Sequence, residues 1–131
     1  MMELIPVADL IVLVGEPVEI GARRVIPILG GEVAGPRIRG RVLPGGADFQ
    51  ILRADGVIEL HARYVVECES GARIYVENSG LRHGPPEAVY FRTTPRFECA
   101  DESYAWLTRH IFLGAGVRRP DRVELTIHQV M

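Results

Sequence analysis

The stretch Ala54-Asp-Gly-Val-Ile-Glu-Leu-His-Ala-Arg-Tyr-Val-Val-Glu-Cys-Glu-Ser-Gly-Ala-Arg-Ile-Tyr-Val-Glu-Asn78 decides the fold. Asp55-Gly56 supplies a tight turn, glycine accepting the positive φ that such a turn requires. From Val57 to Cys68 the residues then alternate. Ile58, Leu60, Ala62, Tyr64 and Val66 share one side, and Glu59, His61, Arg63, Val65 and Glu67 share the other. Glu69-Ser70-Gly71 reverses the chain, and Ala72 to Asn78 alternates again, with Ile74 and Val76 opposite Arg73, Tyr75 and Glu77. Period two over two neighbouring runs predicts a β-hairpin with one apolar and one polar side.

The pattern extends in both directions. Ile38 and Val42 oppose Arg37, Arg39 and Arg41; Phe49 and Ile51 oppose Asp48 and Gln50; Val123, Leu125 and Ile127 oppose Glu124, Thr126 and His128. Gly30-Gly31, Gly35-Pro36, Pro44-Gly45-Gly46, Gly84-Pro85-Pro86 and Pro120-Asp121 punctuate these runs as strand breaks. Only Asp101 to about Trp106 asks for a helix, one or two turns long, with Asp101 as its N-cap. Many short strands leave exposed edges unless the sheet closes. The expectation is therefore a single all-β domain over residues 1–131, an antiparallel, closed or nearly closed barrel with one short helix near residues 101–106. A barrel of about eight strands can hold one small ligand.

Composition narrows the chemistry. The chain has 131 residues and a formal net charge of −2, which gives no footprint for nucleic acid or an anionic membrane. All 15 basic residues are arginine, so Schiff-base mechanisms, which need a side-chain amine, are excluded. The longest apolar run, Leu10 to Val14, is far shorter than a membrane span, and the acidic start Met1-Met2-Glu3 is unlike a signal peptide. A cytoplasmic location is expected. Cys68 and Cys99 have neither metal nor redox spacing. Gly114-Ala-Gly116-Val-Arg-Arg lacks the third glycine of a dinucleotide fingerprint and reads as a strand-ending turn. Gly45-Gly46-Ala-Asp48 has no following Lys-Ser or Lys-Thr, and Ser70, Ser79 and Ser103 sit on no nucleophile elbow. Glu59 and His61 stand two apart on one strand face, but His83, His110 and His128 offer no paired spacing, so no metal site is expected.

The polar side of the hairpin admits two orientations. It is either a solvated outer face, or it points inward with Asp48, Gln50, Glu59, His61, Arg63, Tyr75 and Arg92 lining a cavity; parity alone does not choose.

Several segments resemble the bacterial family called domain of unknown function 3237. They are Arg23-Arg-Val-Ile-Pro-Ile-Leu-Gly-Gly-Glu-Val-Ala-Gly-Pro36, Gly40-Arg-Val-Leu-Pro-Gly-Gly-Ala-Asp-Phe-Gln50, Glu59-Leu-His-Ala-Arg-Tyr64, Ile74-Tyr-Val-Glu-Asn78, Tyr90-Phe-Arg-Thr-Thr-Pro95 and Tyr104-Ala-Trp-Leu107. The resemblance runs in order from about Val12 to Val130. It implies a small lipocalin-like barrel, often packed as an oligomer, with polar positions at Asp48, Gln50, Glu59, Arg63, Asn78 and Arg92. His61 stands where the family pattern is acidic, and the loop from His83 to Ala88 is shorter than the pattern.

The leading expectation is a small-molecule-binding barrel acting as an isomerase, cyclase or lyase on a small carbonyl-containing metabolite, with no cofactor. Glu59 or His61 would be the base, and Arg63 or Arg92 would steady a developing enolate or carboxylate. Asp48, Gln50, Tyr75, Asn78, Arg92 and Trp106 would contact the ligand. Two alternatives stay open. One is a non-catalytic carrier using the rings of Tyr64, Phe91, Phe97 and Trp106; the other is a structural barrel that assembles with copies of itself.

Overall fold

The computed structural model describes residues 1–131. Its strands are β1 (Leu4–Val14), β2 (Val18–Ile20), β3 (Arg23–Ala34), β4 (Gly40–Val42), β5 (Ala47–Leu52), β6 (Ile58–Cys68), β7 (Arg73–His83), β8 (Tyr90–Glu98), β9 (Ile111–Arg118) and β10 (Arg122–Val130). All pairings are antiparallel, in the order β1-β10-β9-β8-β7-β6. The short strands β4 and β5 then share one place between β6 and β3, and β3 pairs back onto β1. The result is a closed barrel of eight strand positions. β2 lies outside this ring, as a hairpin arm on β3.

The β6–β7 hairpin forms as its alternation predicts, with Tyr64 opposite Val76 and Val66 opposite Ile74. Elsewhere the glycines mislead. Gly30 and Gly31 do not break a strand; they lie inside β3, where the pairing with β1 slips by one residue and the sheet turns the barrel's corner. Only glycine fits there, because a Cβ on Gly31 would stand 1.9 Å from the Ile11 carbonyl oxygen. Gly114 and Gly116 likewise sit within β9 rather than in a turn. A Cβ on Gly116 would meet the Phe91 ring at 2.8 Å. Arg37 and Arg39 fall outside any strand, since β4 begins only at Gly40.

The barrel interior has two halves. One is filled by aliphatic and aromatic side chains, among them Val7, Leu10, Val33, Ile38, Val66 and Ile74, all at most 5% exposed. Each such side chain contributes roughly 1.5–3 kcal/mol of burial. This end is closed by the predicted helix, a 3₁₀ segment over Glu102–Thr108. The Asp101 carboxylate caps it, accepting from the Ser103 backbone N–H at 2.9 Å. Leu107 is buried beneath it, and Phe97 packs edge-on to Phe112 with ring centroids 5.1 Å apart. The Arg37 guanidinium lies 3.5 Å over the Trp106 ring and donates to Gln129 Oε1 at 2.7 Å. The other half of the interior sets a few polar side chains, among them Asp48, Gln50, Asn78 and Thr93, into a largely hydrocarbon wall. No helix of the protein is long and apolar enough to cross a membrane.

Candidate functional site

The polar half is built by β5, whose alternation runs opposite to that of its neighbour. On β6 the inward residues are apolar and the outward ones, Val65 apart, polar or charged. Register pairs Asp48 with Ala62, and Ala62 in turn with Asn78. Residues directly opposite in an antiparallel pair share a face. Asp48, Ala62 and Asn78 therefore form one inward-facing row across three strands. Gln50 follows on the same side and is 2% exposed, whereas Phe49 is turned outward at 47%. Arg24 of β3 pairs with Gln50 and joins the inward set from the barrel mouth.

These side chains are linked by hydrogen bonds. The Gln50 amide donates to Asp48 Oδ2 at 2.8 Å, and the His61 backbone N–H donates to Asp48 Oδ1 at 2.9 Å. Arg24 donates through Nε and Nη2 to Gln50 Oε1, at 2.9 and 2.8 Å. Burial pushes the Asp48 carboxyl above its ordinary value; the Gln50 and His61 hydrogen bonds and the Arg82 charge oppose that shift without cancelling it. Arg82 and Arg118 are both pulled down, first by burial and then by neighbouring guanidinium charges, Arg118 and Arg24 around Arg82 and Arg24 around Arg118. Burial, then the Asp48 charge, raises the Tyr64 phenol. Below the mouth lies a cavity of about 40 Å³, walled by Val12, Ile26, Ile28, Leu60, Phe91 and Leu125 as well as by the polar groups. Two buried atoms lining it, Asn78 Oδ1 and Thr93 Oγ1, have no hydrogen-bond partner.

The residues expected to act together are divided by the barrel wall. Asp48, Gln50 and Asn78 are inside. Glu59, His61 and Arg63 face outward, so the hairpin's polar side does not line the interior; Tyr75 and Arg92 point outward too. Trp106 belongs to the helix at the opposite, apolar end. The outward groups largely satisfy one another. Arg63 Nε donates to His61 Nε2 at 3.1 Å, which leaves the proton on Nδ1, 2.8 Å from Ser79 Oγ. Glu59 lies 3.7 Å from Arg53, Tyr75 donates to Glu77 at 3.2 Å, and Arg92 donates to the Phe91 carbonyl at 2.9 Å. Glu59, His61, Arg63 and Arg92 border an open outer hollow of about 1130 Å³, together with Phe49 and Leu113. That hollow is much larger than the inner cavity, but it is open, and the Glu59, His61, Arg63 and Arg92 side chains bordering it are exposed or half-buried and have partners of their own. Desolvated charge and unpaired polar atoms are found inside, and such groups are costly unless they have work to do.

Tyr64, offered by the sequence as a ring for a carrier, lies inside at the cavity wall. Arg24, Arg82, Thr93 and Arg118 were not singled out by the sequence. Their only signal was alternation on β3, β7, β8 and β9, legible once each strand's partner was known.

The family described as "Protein of unknown function (DUF3237)" matches residues 2–130. A UPF0311 protein of Rhodopseudomonas palustris (strain TIE-1) is 50% identical over 125 residues, 85% of this chain and 82% of that protein. A hydroalkoxylation enzyme, phnH, of Penicillium herquei is 36% identical over 80 residues, 61% of this chain and 48% of its own length. Among solved structures, a β-barrel-like protein from Acinetobacter baumannii superposes with a TM-score of 0.96 at 30% identity, covering 100% of this chain and 97% of that one. An enzyme from Penicillium herquei superposes with a TM-score of 0.81 at 23% identity, covering 99% and 95%, a likeness of fold.

Proposed function

The chain belongs to the DUF3237 family, and from that premise we propose that its barrel binds a small carbonyl-containing compound and transforms it by proton transfer through Asp48, without a cofactor. The observation that carries this reading is a single half-buried carboxyl, held above its ordinary pKa in the wall of a cavity that Arg82 and Arg118 also line. A carboxyl poised in that way exchanges protons more readily near neutral pH than an exposed one. The guanidinium charge of Arg82 is placed to stabilise an oxyanion that forms beside it.

Two reaction types fit. In an isomerisation, Asp48 takes a proton from carbon next to the carbonyl, the electron pair moves onto oxygen as an enolate, and the proton returns at a different carbon. In an addition or ring closure, a hydroxyl adds across a carbon–carbon double bond conjugated to the carbonyl. The O–C bond forms as the π bond opens; the hydroxyl proton passes to the carboxylate, and the same carboxyl protonates carbon. Nothing is oxidised or reduced in either. The partial similarity to a hydroalkoxylation enzyme supports the second type, since that name describes addition of an O–H group across a double bond.

The test is a thermal-shift panel of lactones, keto acids and aromatic carbonyl compounds, followed by NMR of each hit in D₂O. A ligand at a hundred times its Kd adds about 2.7 kcal/mol, enough to move the melting midpoint by several degrees. Wild type is expected to exchange or convert a hit. Asp48→Asn is expected to bind it and fail, while Glu59→Gln and Arg63→Met keep turnover. Full turnover in Asp48→Asn with loss in Glu59→Gln would move the site to the outer hollow. Binding without conversion in all four proteins would make the barrel a carrier.

A further inference from the structure

Three arginines at the mouth, Arg24, Arg82 and Arg118, have no carboxylate within ion-pair distance. Ion pairs elsewhere join Arg41 and Arg73 to Glu67, Arg53 to Asp55, Arg119 to Glu124 and Arg122 to Asp121. Arg24 spends its fork on the neutral amide oxygen of Gln50. Arg118 donates to the backbone carbonyls of Arg119 and Arg122. Arg82 lies 5.6 Å from the Phe91 ring centroid, a weak partner for a cation. Burial and then the charges of Arg118 and Arg24 lower Arg82, burial and then Arg24 lower Arg118, and the only carboxylate felt by both is Asp48, with Asp121 acting on Arg118 alone. Three cations gathered around one acid leave a surplus of positive charge in a partly desolvated place.

A second demand lies deeper. Asn78 and Thr93 are each 4% exposed, and Asn78 Oδ1 and Thr93 Oγ1 are unpaired at the cavity wall. An amide oxygen there needs a donor, and a threonine hydroxyl serves as donor or acceptor. Between these atoms and the mouth the wall is hydrocarbon, formed by residues such as Ile26 and Leu60. The free volume of about 40 Å³ has room for roughly three water-sized groups. An anion at one end, a hydroxyl at the other and a short hydrocarbon between them would satisfy all three features at once.

We infer that the barrel's ligand is a short hydroxy carboxylate, or the enol of the matching keto acid, with its carboxylate across Arg24, Arg82 and Arg118 and its hydroxyl at Asn78 and Thr93. This rests on the interior being the binding site, and it names the substrate class for that site. Planar guanidinium forks match a carboxylate edge-on, and charge-assisted hydrogen bonds of this kind are about twice as strong as neutral ones. Asp48 stands beside the bound acid as the proton carrier and contributes no attraction.

The test is isothermal titration of the full chain with glycolate, 3-hydroxypropionate and 4-hydroxybutyrate, against propionate, 1,3-propanediol and inorganic phosphate. The best hydroxy acid is expected to bind about tenfold or more tightly than either propionate, which lacks the hydroxyl, or the diol, which lacks the charge. Arg82→Met is expected to lose about tenfold in affinity, and Arg82→Lys, which keeps the charge but not the fork, a smaller part of that. Asp48→Asn should bind the acid more tightly, because a like charge has been removed. Equal binding of acid and diol, no effect of either Arg82 variant, or preference for phosphate would each overturn the inference. Hydroxy-acid binding in a protein that turns nothing over would defeat the catalytic reading and leave this one standing. Turnover of a neutral lactone, with no binding of any acid, would do the reverse.

Discussion

Asp48 is the residue on which the chemistry turns, and its ionisation has a consequence for stability. Its pKa in the fold lies above the ordinary value of 3.8, because burial disfavours the charged form more than its hydrogen bonds favour it. The folded state therefore holds this proton more tightly than the unfolded chain does. Stability falls as pH rises from about 3.8 through the folded pKa, and stays lower above it. Acids such as Glu67 and Asp121, pulled down by arginine partners, act in the opposite sense. A comparison with Asp48→Asn separates the two effects. Urea midpoints measured from about pH 3.5 to 7 should show wild type losing stability relative to the variant as pH rises; parallel profiles would mean that Asp48 is not desolvated. Asp48, Gln50 and Asn78 were recognisable in the sequence as polar residues on strands. Their direction was not, because an alternating strand gives two faces without saying which is inside. Arg82 and Arg118 were less legible still, each standing near a strand end where an arginine is usually solvated.

At the level of elements, the β6–β7 hairpin was legible because its apolar residues recur without interruption and its turns carry glycine. β5 was not. It places Asp48 and Gln50 inside and Phe49 outside, the reverse of the usual arrangement, and only its register with Ala62 of β6 reveals the reversal. A strand that breaks the inside-apolar rule costs stability unless its polar groups are paired or used, so its inversion is itself a functional sign. β9 was misread for a different reason. Its glycines resemble a turn, yet they face the interior and leave room for the Phe91 ring and the Thr93 hydroxyl. Gly116→Ala should accordingly cost about 1–3 kcal/mol by overpacking against Phe91. Adding Phe91→Leu should recover part of that loss in a thermal melt. A neutral Gly116→Ala would show that the ring has room to move aside.

Across the whole molecule, closure of the sheet could be argued from the number of short strands, but the division of the interior into halves could not. One half is hydrocarbon, sealed by the helix and by Arg37 over Trp106. The other opens through three arginines onto a cavity with a carboxyl and unpaired polar atoms. Arginines at the mouth and unpaired neutral polar atoms deeper in make a barrel that can hold a small molecule in one orientation, charged end towards the mouth. The outer hollow over β6 and β8 is the rival location, and it carries the residues that the sequence made most conspicuous, Glu59, His61 and Arg63. A crystal structure of the protein soaked with the panel compound of largest thermal shift decides between them. Density is expected inside the barrel, between Asp48 and Arg82. Density confined to the outer hollow, against His61 and Arg63, would contradict the interior site.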